Sequence, residues 1–216
     1  MARYIVVEGP IAVGKTSLAE RLADALGARL VLEEGEENPF LRKFYDSPEK
    51  YAFATQIFFL LSRYRQQFEL AQRDLFEQAI VADYFFAKDQ IFARLNLDSD
   101  EYALYEQIYR MLDARTLRPD LVVYLEARGE VLARRMRRRN RDYERRIAPA
   151  YLERVAEAYR QFFYNYSDSP LLVVQSSEID FVERPADFDA LLKEIRTVKK
   201  GVQHYVPLRS GSRAQR

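Results

Sequence analysis

Gly9-Pro10-Ile11-Ala12-Val13-Gly14-Lys15-Thr16 fits the pattern G-x-x-x-x-G-K-[ST], a loop whose backbone N–H groups cradle a polyphosphate. The residues on either side suit it. Upstream, Tyr4-Ile5-Val6-Val7-Glu8 is a short β-branched run that predicts a buried strand. Downstream, Leu18, Ala19, Leu22, Ala23 and Leu26 recur at helical spacing, and Gly27 supplies a stop. Strand, loop and helix in that order aim N–H groups and the positive end of a helix dipole at an anion. Lys15 would reach the β- and γ-phosphates, and the Thr16 hydroxyl would ligate Mg²⁺. Gly9, Ala12, Val13, Gly14, Lys15, Thr16 and Ser17 form the expected nucleotide cradle. The stretch predicts binding of a nucleoside triphosphate.

Outward from that loop the chain alternates apolar runs with helical periodicities. Arg29 to Leu32 predicts a second strand, ending at Glu33, Glu34, Glu36 and Glu37. Ala79 to Asp83 predicts a third, Leu121 to Leu125 a fourth and Leu171 to Val174 a fifth. Helices are expected over 40–45, 48–76, 84–95, 99–115, 129–139, 148–165 and 185–200, with Pro39 and Ser47-Pro48-Glu49 as start signals. Apolar strands joined by helical crossovers predict an α/β fold of the P-loop NTPase type. Its five-stranded parallel sheet would carry helices on both faces and an arginine-rich lid. One domain is expected over 1–200; the tail 201–216 lacks periodicity and is expected to be partly disordered.

Composition removes several function classes. The 34 basic and 33 acidic side chains nearly cancel, so no global field points to nucleic acid or a membrane surface. Without cysteine there is no disulfide framework, thiolate metal site or thiol nucleophile. Arg3 leads straight into the first strand, so no secretory signal is expected, and no apolar run has the length of a membrane span. A cytoplasmic protein is the expectation. The single histidine, His204, lies in the tail and reads as a surface side chain.

Parallel sheets bind ligands at the carboxyl ends of their strands, where the P-loop, the Glu33 cluster and Asp83 all project. Asp83 is expected to hold Mg²⁺ with Thr16, or else to cap the following helix. A glutamate of the cluster could take a proton from an acceptor hydroxyl; the alternative is a solvated acidic loop. Arg134, Arg135, Arg137, Arg138, Arg139 and Arg141 fall within eight residues. They read as a lid over phosphates, or as a nucleic-acid-binding helix. At helical spacing Arg134 and Arg138 cannot all share one face with Arg135 and Arg139, so part of the run should be solvated.

The chain also resembles the deoxyribonucleoside kinases, the group of deoxycytidine, deoxyguanosine, deoxyadenosine and mitochondrial thymidine kinases. Beside the P-loop, the likeness is carried by Leu32-Glu33…Asn38-Pro39-Phe40-Leu41, by Phe44-Tyr45…Pro48-Glu49-Lys50-Tyr51-Ala52-Phe53-Ala54-Thr55-Gln56, and by Leu61-Ser62-Arg63-Tyr64-Arg65. Arg139-x-Arg141-x-x-Glu144-x-x-Ile147, then Tyr151-Leu152, resembles the family's lid. The resemblance implies ATP as donor and a deoxynucleoside as acceptor. It implies Glu33 as general base, Tyr45 and Glu144 on the sugar 3′-hydroxyl, and Gln56 on the base edge. It further implies Arg63 and Asp89 at the far side of the base pocket, with Phe53 and Phe92 stacking or lining it. Arg135, Arg139 and Arg141 match its lid arginines. A homodimer is implied too, with apolar surface available on the helix around 51–68. Purine deoxynucleosides, deoxyadenosine first, are the expected substrates, within nucleotide salvage.

Two departures stand out. The family usually has Glu/Asp-Arg-Ser after its third strand, where this chain has Asp83-Tyr84-Phe85; another cation, Arg63 or a lid arginine, must replace that arginine. A one-residue gap between Asp83 and Phe92 leaves either Lys88 or Asp89 as the base-contacting residue. Where the family has Glu-Pro-Val, this chain has Glu33-Glu34-Gly35, so Glu34 could share or assume the base role. Competing readings are a nucleoside monophosphate kinase of the thymidylate kinase type, which needs an arginine where Tyr84 stands, and a nucleic-acid-binding P-loop module. A GTP-dependent switch needs a guanine-reading Asn-Lys-x-Asp, which does not occur in the chain.

Overall fold

The computed structural model describes residues 4–33, 37–72, 79–113, 115–141, 144 and 147–207. Glu34, Glu36 and the chain beyond Pro207 lie outside the described residues. The strands are β1 (Tyr4–Glu8), β2 (Arg29–Val31), β3 (Ile80–Ala82), β4 (Leu121–Glu126), β5 (Leu171–Gln175) and β6 (Val202–Tyr205). The helices are α1 (Lys15–Leu26), α2 (Leu41–Asp46), α3 (Pro48–Gln72), α4 (Asp89–Asn96), α5 (Ser99–Asp113), α6 (Gly129–Arg139), α7 (Pro149–Tyr164) and α8 (Pro185–Thr197). The sheet runs β2-β3-β1-β4-β5-β6 and is parallel throughout. The chain is thus a parallel α/β sheet flanked by helices, the expected P-loop arrangement.

The sheet has six strands rather than five. β6 escapes the sequence reading because it is an exposed edge strand with no apolar run to reveal it. Val202 is 51 % exposed. Backbone bonds hold this strand: Gly201 takes a left-handed turn (φ 66°), its carbonyl accepts from Leu171 N–H at 2.9 Å, and Val202 falls into register with Leu171. His204 lies on this strand, exposed as expected.

Alternation along β1 divides the core in two. Ile5 and Val7 face the layer of α1 and α8, with Leu18, Leu22, Phe188 and Leu191. Tyr4 and Val6 face the layer of α7, with Val155, Tyr159 and Phe163. Glu8 shares their parity, so the end of the strand aims a carboxylate into the α7 layer beneath the P-loop. A third cluster (Leu60, Phe86, Ala93, Tyr105, Tyr109) joins α3, α4 and α5.

The helix expected over 84–95 is broken. Asp83 N–H still pairs with Val31 C=O at 3.1 Å, Tyr84 and Phe85 are buried without helical structure, and a 3-10 turn (Phe86–Lys88) precedes α4. The aromatic side chains of Tyr84 and Phe85 pack into the α7-side core, which postpones the helix and brings Lys88 and Asp89 to the cleft side of the sheet.

The P-loop makes its closest approach at Gly9 (φ 153°), where a Cβ would collide with the Leu125 carbonyl oxygen of β4. Gly9→Ala should therefore cost about 1–3 kcal/mol of stability, the usual scale for a backbone forced into such strain. It should also weaken the thermal shift given by a nucleoside triphosphate. Unchanged melting and an unchanged shift would show that the loop tolerates the collision.

Candidate active site

A cleft of about 1040 Å³ opens at the carboxyl ends of the strands. Residues 11–17 border it together with Glu33, Tyr45, Gln56, Arg63 and Asp83. The P-loop is closed on itself: Lys15 Nζ donates to the carbonyls of Gly9 (2.7 Å) and Pro10 (3.3 Å). Burial pushes the Lys15 ammonium below its ordinary pKa, while the charge of Glu8 resists that fall. Ala12 and Gly14 adopt left-handed backbone (φ 63° and 108°).

Asp83 is fixed from two directions. Its Oδ2 accepts from Thr16 Oγ1 at 2.5 Å and its Oδ1 from Glu33 N–H at 2.7 Å. Two hard oxygen donors thus meet beside the loop. That suits Mg²⁺, which takes a few protein oxygens and completes its shell with phosphate and water. Among the described residues no cluster of three acids or histidines would form an all-protein cation cage. The helix-cap alternative for Asp83 finds no support in these contacts.

Next to Asp83 runs a chain of alternating charges. Glu33 Oε1 accepts from Arg63 Nε (2.8 Å) and Nη2 (2.5 Å), and Glu33 Oε2 from Lys88 Nζ (2.8 Å). Arg63 Nη1 donates to Asp89 Oδ1, and Tyr105 O–H donates to Asp89 Oδ2 at 2.9 Å. Lys88 Nζ also lies 3.7 Å from Glu8 Oε2. Glu8 Oε1 accepts from Gly9 N–H (3.0 Å) and from Tyr159 O–H (2.9 Å). Burial alone would raise the Glu33 carboxyl, but Arg63 and Lys88, aided by Lys15, reverse this and hold it well below the usual carboxylate range. Glu8 is pushed up by burial against the charges of Lys88 and Lys15. Burial keeps the Tyr159 phenol protonated, far above its ordinary value.

Most expected residues meet here, with exceptions. Tyr45, Gln56, Phe92 and Glu144 border the cleft, and Gln56 Nε2 reaches the Asp89 carbonyl at 3.4 Å. Asp89 itself is fully buried behind Arg63, so it shapes the pocket through that arginine. Phe53 is not among the lining residues; it packs on the outer cluster with Leu60. Arg135 lines the cleft, but its guanidinium is spent on backbone, donating to Val13 C=O (2.9 Å), Ser176 C=O (2.7 Å) and Ile179 C=O (3.4 Å). Arg139 pairs with the buried Glu144. Arg134, Arg135, Arg138, Arg139 and Arg141 all border the cleft while Arg137 does not. Both helical stripes reach it because the opening is wide and α6 runs along its rim.

Sequence reasoning missed Glu8 and the loop Ser177–Arg184, which also lines the cleft, and named Lys88 only as an alternative to Asp89 for contacting the base. Two signals were present. Glu8 is a carboxylate closing an apolar strand, like Asp83, and Ser177–Arg184 follows the carboxyl end of β5, where ligands are expected.

A P-loop on a parallel sheet, beside an acid held by two cations in one cleft, defines a phosphoryl-transferring enzyme class. Comparison with known proteins agrees. The deoxynucleoside kinase family model matches residues 5–200. A deoxyguanosine kinase of Bacillus subtilis is 32 % identical over 200 residues, covering 90 % of this chain and 97 % of the relative. A deoxyadenosine kinase of Dictyostelium discoideum is 34 % identical over 167 residues, covering 76 % and 68 %. The solved deoxyadenosine kinase from M. mycoides with bound dATP superposes with a TM-score of 0.77 at 26 % identity, covering 89 % of this chain and 98 % of that one. The chain belongs to the deoxynucleoside kinase family, and its reaction is the phosphorylation of deoxynucleosides.

Proposed function

We propose that the chain transfers the γ-phosphoryl group of ATP to the 5′-hydroxyl of a purine deoxyribonucleoside, deoxyadenosine first, as a cytosolic step of nucleotide salvage. The observation that supports this most is Glu33, a carboxylate gripped by Arg63 and Lys88 in the same cleft that the P-loop borders. In the reaction the 5′-oxygen forms a bond to the γ-phosphorus. The bond to the β–γ bridging oxygen breaks, its electron pair leaves with ADP, and the hydroxyl proton passes to Glu33. Little covalent work falls to the protein; positioning and charge carry the rate.

Each remaining group has a proposed task. Lys15, Arg139 and Arg141 face the donor phosphates. Thr16 and Asp83 would hold Mg²⁺, which when bound neutralises charge on the phosphates. Gln56 reads the base edge, since its amide both donates and accepts, with Arg63 backed by Asp89 and with Phe92 beside it. Arg135 acts as a brace between the P-loop and the β5 loop. Phosphorylated acceptors of the thymidylate type fit less well, because Tyr84 is turned into the core, beside Gln67 and Tyr4.

A homodimer through α3 and α5 belongs to the same reading. Leu61 and Phe68 on α3, and Leu104 and Met111 on α5, are 46, 49, 49 and 66 % exposed. Each pair is seven residues apart and so shares a helix face. Sedimentation equilibrium should give twice the 25.5 kDa chain mass; a monomer at micromolar concentration contradicts it.

Tyr45 and Glu144 are proposed to share the 3′-hydroxyl, so coupled ADP-release assays should discriminate among sugars. The 2′,3′-dideoxy analogue of the best deoxynucleoside should lose about 3 kcal/mol or more in kcat/KM, because the site's own polar groups stay unpaired. Equal kcat/KM for the two sugars rules the arrangement out. A panel of the four deoxynucleosides in the same assay should rank deoxyadenosine first, and a preference for a pyrimidine overturns the purine assignment.

A further inference from the structure

Lys88 is 2 % exposed and borders the cleft, yet the reaction above gives it no task. A buried ammonium is unfavourable unless anions meet its hydrogen bonds. Lys88 has two such anions at unequal distances, Glu33 Oε2 at 2.8 Å and Glu8 Oε2 at 3.7 Å. The farther one is waiting. Glu8 Oε1 has two donors, Gly9 N–H and Tyr159 O–H, whereas the buried Glu8 Oε2 accepts no hydrogen bond. A shift of about 1 Å would bring Lys88 within hydrogen-bond distance of it.

Glu33 Oε1 meanwhile accepts twice from Arg63, whereas Oε2 accepts once, from Lys88, whose positive charge on that oxygen opposes the arrival of a proton. An acceptor hydroxyl must donate to one of them before it can lose its proton. Arg63 is held from its other side by Asp89, which Tyr105 anchors in turn. Lys88 is the partner with somewhere else to go. Its charge also acts on Lys15 of the P-loop.

We infer that Lys88 is a two-position cation of the transfer site. It sits on Glu33 while the acceptor site is empty. It moves to Glu8 when the deoxynucleoside binds, leaving Glu33 Oε2 free to take the 5′-hydroxyl proton and turning an N–H toward the phosphoryl group in transit. Glu8 is its positioning residue. Lys88 keeps its proton throughout; the hydroxyl proton goes to Glu33, and the bridging electron pair leaves with ADP. This inference rests on the reaction proposed above.

The test compares Lys88→Met, Lys88→Arg, Glu8→Gln and the double variant Lys88→Met/Glu8→Gln, which leaves no unpaired buried charge. Single-turnover rates are measured with ATP and deoxyadenosine, and calorimetry gives Kd for deoxyadenosine and for its 5′-monophosphate. Lys88→Met should slow the step roughly 100-fold, as loss of a transition-state charge contact does. It should weaken the monophosphate about 10-fold while leaving the nucleoside within about 3-fold. Lys88→Arg should recover part of both, and the double variant should be no slower than Lys88→Met, since paired residues are non-additive. Parental rates in Lys88→Met or in the double variant overturn the inference. So does an equal loss of affinity for nucleoside and monophosphate, the mark of a structural role. If the parent chain turns over no deoxynucleoside, the proposed reaction fails, and the two affinities still decide for or against Lys88.

Discussion

Charge alternation at the ends of β1, β2 and β3 is the constraint on which the cleft depends. Three buried or half-buried carboxylates (Glu8, Glu33 and Asp89) are threaded by Lys88 and Arg63. Removing one partner of a buried pair typically costs about 3–5 kcal/mol, since an uncompensated charge is left behind. The network therefore favours a single arrangement of the 3-10 turn, of α3 and of the β2 end. It fixes Glu33 relative to the P-loop. Such preorganisation is what phosphoryl transfer asks of a protein, because positioning and charge supply nearly all of the rate.

Asp83 ties this network to the nucleotide side. Its two oxygens bridge Thr16 at the start of α1 and the backbone of Glu33, so the P-loop and Glu33 are joined through one side chain. Arg135 does the same on the other flank, joining Val13 to Ser176 and Ile179 across the loop after β5. With Arg135 so engaged, the arginines of the α6 end divide their labour. One braces, and Arg139 pairs with Glu144 near the substrate side.

The P-loop and five of the six strands could be read directly because each is a local pattern whose meaning does not depend on distant residues. β6 could not, since an exposed edge strand needs no apolar side chains. Helix α3 shows a finer limit. Phe53 and Leu60 form one stripe and Gln56 and Arg63 another, the two about 60° apart at 3.6 residues per turn. Periodicity finds both stripes, but only the packing of α5 decides that the first is buried against that helix and the second faces the cleft. Lys88 is harder still. Its partners are 55 and 80 residues away in sequence, and its direction follows from the helix break that buried Tyr84 and Phe85 impose.

The central claim is that Glu33 accepts the hydroxyl proton, and substitution by its near-isostere tests that most directly. Glu33→Gln can still hydrogen-bond but cannot take a proton. Under single-turnover conditions with saturating ATP and deoxyadenosine, its transfer rate should fall roughly 10²–10⁴-fold, the range for a lost general base, with nucleoside affinity changed far less. Glu34→Gln should stay within a few-fold of the parent. A Glu33→Gln enzyme that transfers phosphate at the parental rate would contradict the account.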